Sequence, residues 1–212
     1  MLSVIAVKNG TKYGPEYVNR LFWAVKRHLS VEHEFICLTD NPKGLHHEIE
    51  VERDESGLPG WWAKMRLFDV NSPMRSEHNR VLFFDLDTII VDSIDFMAQY
   101  TGPFAILRDF YRPDGYGSGV MILGENFGQH IWDRFAANAQ YTINTLHGDQ
   151  NFIERTYRGA ERLQDLFPGK FVSYKVHCQK SVPKDASVVC FHGVPKQSDL
   201  PLEHELTKAW LN

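Results

Sequence analysis

The sequence predicts an α/β domain built on a central mixed, mainly parallel β-sheet flanked by helices. Three observations carry the prediction. Short apolar runs alternate with helical stripes from the start of the chain, and further on strand pairs without a helix between them break that alternation. In mid-chain, Arg80–Phe84 (RVLFF) is apolar without any polar alternation, which marks a strand covered on both faces.

Residues 2–7 (LSVIAV) read as a short buried strand. A Gly/Thr/Lys/Tyr/Gly loop leads to a helix opened by Pro15, whose fixed φ suits a first turn, with Val18, Leu21, Phe22 and Val25 as its apolar stripe. Glu34–Thr39 (EFICLT) is a second strand, stopped by Asp40-Asn41-Pro42. Residues 47–51 alternate weakly as a third. After Gly57-Leu58-Pro59-Gly60, residues 61–70 have helical spacing at Trp61, Met65 and Phe68. Residues 85–91 read as a continuation of the Arg80–Phe84 strand, and Asp92-Ser93 as the cap of a short helix with Asp95 in its first turn. Residues 104–107 and 119–123 are strands, 126–139 and 149–157 helices, and 171–174 and 187–191 the last strands. With no repeat and no long linker, a single domain over 1–212 is expected.

Composition narrows the class. A chain that is 43% hydrophobic and 24% charged can bury a core without disulfide or metal staples. A net charge of −4 argues against a polybasic nucleic-acid or membrane-surface binder. Cys37, Cys178 and Cys190 are odd in number and scattered, so they make neither a disulfide framework nor a CxxC pair. No stretch approaches the ~20 apolar residues of a membrane span. The expectation is a reduced, cytoplasmic protein with no integral membrane segment and no nucleic-acid partner; peripheral attachment to a membrane stays open.

The most informative segment is Val81-Leu82-Phe83-Phe84-Asp85-Leu86-Asp87-Thr88-Ile89-Ile90-Val91. On one strand, side chains at i and i+2 share a face with Cα atoms about 6.6 Å apart. Two carboxylates so placed repel each other and resist desolvation unless a cation compensates both. Ligands of open α/β sheets sit beyond the carboxyl ends of strands. The pair therefore predicts a divalent-cation site facing a cleft. The alternative is that Asp85 ends the strand and Asp87 makes a turn, against which stands the immediate return of apolar residues at Ile89.

Two families have such a string. FDLDTIIVDS is similar to the opening motif of haloacid-dehalogenase-type phosphatases, which would make Asp85 a nucleophile. Here, however, Ile89 stands where that motif carries a hydroxyl, and the pair lies in mid-chain. Beyond the acids, the sequence resembles the glycogenin and lipopolysaccharide-galactosyltransferase group of GT-A glycosyltransferases. Asn9 and Tyr13 resemble that group's Thr-Asn-Asp-x-Tyr loop. Lys64-Met65-Arg66-Leu67-Phe68 resembles its Lys-Leu-x-x-Phe helix. Tyr116-Gly117-Ser118-Gly119-Val120 resembles Phe-Asn-Ser-Gly-Val, and Gly148-Asp149-Gln150 resembles its Gly-Asp-Gln. His192-Gly193-Val194-Pro195-Lys196 resembles the closing His/Gly/Lys segment.

The resemblance implies a GT-A (Rossmann-like) fold with a nucleotide-binding half over 1–92 and a donor-sugar and acceptor half over 93–212. It implies Mn²⁺ or Mg²⁺ on Asp85, Asp87 and His192. Contacts to the nucleotide-sugar donor, UDP-linked by default, would come from Val7, Asn9, Tyr13, Lys64, Asp85, Leu86, Asp87, Ser118, Gly119, Gly193 and Lys196. Catalytic roles would fall to Asp149, Gln150 and Lys196, with retention of anomeric configuration and an unknown glycan or other hydroxyl acceptor. Cys190 and His192 share strand parity, so either side chain is a candidate for the metal; His192 is preferred because imidazole joins carboxylates on Mn²⁺-like ions while thiolate favours softer metals. A nucleotidyltransferase would use the same acids. Trp61 and Trp62 read as core or cleft wall, with a sugar-stacking platform as the alternative.

Overall fold

The computed structural model describes residues 2–212, and of residues 76–78 the backbone alone. β1 (Leu2–Lys8), α1 (Pro15–His28), β2 (Glu34–Thr39) and β3 (Glu50–Arg53) open the chain. A 3₁₀ helix (Gly60–Phe68) then leads, past a second 3₁₀ turn (Pro73–His78), into β4 (Arg80–Phe84), β5 (Thr88–Ile90) and α2 (Asp95–Ala98). Next come β6 (Phe104–Arg108), β7 (Tyr116–Leu123), α3 (Gln129–Ala136), α4 (Ala139–Thr145) and α5 (Asp149–Thr156). β8 (Glu161–Arg162), α6 (Leu163–Leu166), β9 (Phe171–Ser173), α7 (Tyr174–His177), β10 (Val188–Cys190) and α8 (Glu205–Leu211) complete it.

The main sheet has the order β3-β2-β1-β4-β7-β6-β8. All its pairings are parallel except those of β7, which runs antiparallel to both β4 and β6. A smaller sheet, β5-β10-β9, branches off where the chain leaves β4. Strand alternation sorts the core. Val4, Ala6, Leu82, Phe84 and Val120 pack with the α1 stripe on one face, and Ile5, Val81, Phe83 and Met121 pack with the 3₁₀ helix, α3 and α5 on the other. Both faces are covered, which is why β4 reads as an unbroken apolar run. Ile89 and Val189 of the small sheet, and Phe191 just after it, pack with Leu206 and Trp210 of α8. Among the described residues no helix is long and apolar enough to cross a membrane.

Several sequence expectations need correction. The third strand lies at Glu50–Arg53 rather than 47–51, at a sheet edge where most of its side chains are exposed and the hydrophobic pattern fades. The helix expected over 61–70 is a 3₁₀ helix over Gly60–Phe68, so one buried ridge is Trp62, Met65 and Phe68 at threefold spacing, with Trp61 off it. The expected helix over 126–139 is shortened to α3, and α4, which starts at its last residue, was not expected. Residues 85–91 do not continue β4: three residues turn, and β5 enters the second sheet. The short elements β8, α6, α7 and α8 have no sequence expectation behind them.

Gly128 fixes how the 3₁₀ helix meets α3. Its φ is +130°, and a Cβ there would lie 2.8 Å from the Phe68 carbonyl oxygen and 2.9 Å from the Phe68 Cα. We expect Gly128→Ala to lower stability by about 1–3 kcal/mol or more in urea unfolding, since it adds backbone strain to a backbone clash.

Candidate functional site

The bonding of β4 to β7 runs one amide past the strand: Asp85 N–H donates to the Gly119 carbonyl at 2.8 Å. Thr88 then closes a turn over Asp85-Leu86-Asp87, donating from its N–H (3.1 Å) and its hydroxyl (2.7 Å) to the Asp85 carbonyl. The buried Gln197 side chain donates to the Leu86 carbonyl at 2.7 Å, and Phe191 N–H to the Asp87 carbonyl at 2.8 Å. The two acids thus occupy a turn pinned from four sides, not one face of a strand. Both still line the same cavity of about 790 Å³, at the carboxyl end of β4.

Each acid carries its own lysine. Lys64, 4% exposed, places its ammonium 3.2 Å from Asp85 Oδ2, 3.0 Å from Asp149 Oδ2 and 3.1 Å from Ser118 Oγ. Burial pulls the Lys64 pKa down, but Asp149 and Asp85 pull it further up, so the net shift is upward and the ammonium stays charged. Burial, opposed by Lys64 and helped by Asp87 and Asp149, pushes Asp85 up to about 7. Asp87 accepts from the Tyr13 hydroxyl at 3.1 Å and from the Lys196 ammonium in a close ion pair. Burial, and next the charge of Asp87, push the Tyr13 phenol up, keeping it a hydrogen-bond donor.

The cavity lining also contains Val7, Asn9, Ser118, Gly119, Gln150, Cys190, His192 and Gly193. Asn9 donates to Asp54 Oδ2 (2.5 Å) and the Leu58 carbonyl (3.1 Å), bracing the loop after β1. Gly119 leaves open the space beside Asp85, whose Oδ2 would be 3.7 Å from a Cβ there. Asp149 opens α5, yet its carboxylate turns inward to Lys64 instead of capping the helix. His192 Nε2 lies 2.6 Å from Ser173 Oγ, with the ring stacked on Phe110 at 5.7 Å. Burial, then Lys175, lower its pKa, which favours the neutral imidazole. Burial pushes the Cys190 thiol well above its ordinary range, which keeps it protonated and disfavours it as a ligand.

A divalent ion would suit the donor chemistry of the carboxylate pair, with two rearrangements. Hard oxygen donors suit Mn²⁺ or Mg²⁺, and the ammonium on each acid shows that the pair recruits positive charge. Asp85, Asp87 and His192 are nevertheless not drawn together as a ligand set. Among the described residues, the only group of three or more His, Cys, Asp or Glu with ligand atoms all within 4.8 Å of one another is His46, His47 and Glu48, which do not line this cavity. Binding would require Lys196 to release Asp87 and His192 to release Ser173.

Sequence reasoning passed over several lining residues, among them Phe110, Tyr111, His147 and Asn151. Asp109 accepts from Tyr111 N–H (2.8 Å) and Arg112 N–H (3.1 Å), making the turn that brings Phe110 and Tyr111 to the cavity. That Asx turn after β6 was the available signal. Trp62 is core, stacked on Phe135 at 5.7 Å, while Trp61 is cavity wall.

No protein-family model and no curated protein matches the sequence. Solved structures do match. The galactosyltransferase LgtC, in complex with donor and acceptor sugar analogs, superposes with a TM-score of 0.69 at 12% identity, over 99% of this chain and 94% of that one. The chain has the fold of GT-A glycosyltransferases. The glycosyltransferase GlyE of Streptococcus pneumoniae matches this chain at a TM-score of 0.70 and 12% identity, over all of this chain and 60% of its own length. The bifunctional glycosyltransferase WbbM matches at 0.63 and 11% identity, again over all of this chain and 52% of its own.

Lys64 neutralises two carboxylates in a nearly dry position, so deleting its charge leaves both uncompensated. Lys64→Met is expected to cost about 3–5 kcal/mol in chemical denaturation. The double variant carrying Asp149→Asn as well should recover part of the loss, and an absence of recovery would show that the ion pair is not its origin.

Proposed function

We propose that the chain transfers a hexosyl group from a nucleotide-diphosphate sugar, a UDP-hexose in the first instance, to an acceptor hydroxyl with retention of configuration, using Mn²⁺ or Mg²⁺. The observation that carries the reading is the Asp85-Leu86-Asp87 turn, which presents two lysine-compensated carboxylates to a single cavity at the end of β4. The GT-A fold supports it. Residues 1–92 would supply the base and diphosphate side through Val7, Asn9, Tyr13 and the acid pair, and residues 93–212 the sugar and acceptor side.

Asp85 and Asp87, with His192 as third donor, would hold the ion, whose chemistry is to neutralise charge developing on the departing diphosphate. Lys196, on Asp87 at the cavity wall, is the mobile cation for the phosphates. Ser118, Gly119 and Gly193 leave polar or open backbone along the donor's path. Asp149 and Gln150 flank the sugar, where a carboxylate and an amide bind hydroxyls and favour positive charge at the anomeric carbon. Lys64 fixes the position of Asp149 relative to Asp85.

A haloacid-dehalogenase-like phosphatase with Asp85 as nucleophile has no support in the fold, and Asp85 is engaged by Lys64. A nucleotidyltransferase would release pyrophosphate, and the same assay separates it. Incubated with UDP-hexoses and Mn²⁺, the protein should release UDP and neither pyrophosphate nor inorganic phosphate. Asp87→Ala should weaken Mn²⁺-dependent UDP binding about 100-fold or more by calorimetry; unchanged affinity would refute the assignment of the acids.

A further inference from the structure

One large side chain of the cavity lining has no role in the donor contacts proposed above. Trp61 lines the cavity wall and is 51% exposed, although an indole is among the largest apolar surfaces a chain can hide. Its placement follows from the 3₁₀ helix. With three residues per turn, side chains at i and i+3 eclipse, so Trp61 stands one turn before Lys64 on the same ridge. Lys64 points to the floor at Asp85 and Asp149, and Trp61, about 6 Å earlier along the helix axis, borders the space above it. The indole edge rests on Gly148, where a Cβ would lie 3.5 Å from Trp61 Nε1. Gly148 immediately precedes Asp149, so the ring is seated beside the residues assigned to the donor sugar. A second exposed aromatic, Tyr111, lines the same cavity at 65% exposure, edge-on to His192 at 5.2 Å. The polar side chains of His147, directly before Gly148, and Asn151, three residues after it, line the same cavity.

We infer that Trp61 is the platform on which a pyranose ring of the acceptor stacks, so that the acceptor is a saccharide and not a polypeptide hydroxyl or a lipid alcohol. The C–H face of a pyranose is apolar and slightly positive, complementary to the negative face of an indole. Its rim of hydroxyls needs polar partners close to that face, as His147 and Asn151 provide. The uridine base is an alternative occupant, but Tyr13, on Asp87, and Asn9 line the cavity as its candidates, while Trp61 stands one turn from Lys64, on Asp85. The inference rests on the transfer reading for its catalytic meaning, though saccharide binding can be measured without turnover.

The test uses the full chain labelled with 5-fluorotryptophan, whose five tryptophans give separate ¹⁹F signals; Trp61→Phe assigns the one of interest. Lactose, maltose and cellobiose are titrated as probes in the presence of UDP and Mn²⁺. The Trp61 signal should shift saturably with at least one of them, while that of Trp23, 40% exposed on α1 and away from the cavity, stays put. With that saccharide as acceptor, Trp61→Ala should raise its KM about tenfold or more, equivalent to ~1.4 kcal/mol. The KM for the UDP-hexose should not move, and Trp61→Phe should restore most of the loss. No shift with any probe overturns the inference, as does an equal shift with UDP alone, which would make Trp61 part of the donor site. A saccharide-induced shift in a protein that releases no UDP from any UDP-hexose keeps the platform and overturns the transfer reading instead.

Discussion

A single buried ammonium organises the cleft. Lys64 lies between Asp85, at the end of the central strand, and Asp149, at the head of α5, and its hydroxyl partner Ser118 comes from the antiparallel strand β7. Three elements distant in sequence are therefore tied at one nearly dry point. A buried charge is tolerated only when it is paired and hydrogen-bonded, and each of these partners faces the same cavity. The charge that stabilises the floor also sets the geometry of the groups proposed to meet the sugar.

The second constraint is the short turn after β4. An extended strand would have carried Asp85 and Asp87 along the main sheet. Closure by Thr88 instead sends the chain into a separate three-stranded sheet, whose strand β10 returns His192 and Lys196 to the same cleft. The Gln197 amide locks this return to the Leu86 carbonyl. The segment that supplies Lys196 and the turn that supplies Asp87 are thus one mechanical unit, although more than a hundred residues separate them. Lys196 has one clear task here, compensation of Asp87, and one proposed task, the diphosphate.

Most strands were legible because burial on both faces leaves continuous apolar runs, as in Glu34–Thr39 and Arg80–Phe84. The acid pair was legible because charge amid such runs is costly. The turn between the acids was not, since Ile89 and Ile90 resume the apolar pattern in a different sheet and periodicity does not reveal which sheet a strand joins. The 3₁₀ geometry was equally hidden: Trp61, Met65 and Phe68 satisfy an α-helical spacing, and only tertiary packing selects the Trp62, Met65, Phe68 ridge. His192 was found as a residue of the cleft, but its hydrogen bond to Ser173 depends on β9 and β10 lying side by side, which no local pattern records.

The central proposal is that the acid turn binds a divalent cation in competition with the lysines that pair with it. It is tested most directly by titrating Mn²⁺, without nucleotide, into the native protein and into Lys196→Ala, following free Mn²⁺ by electron paramagnetic resonance. Because the variant removes the ammonium competing for Asp87, it should bind Mn²⁺ more tightly than the native protein, by about 1 kcal/mol or more. Equal affinities, or no binding in either, would contradict the account.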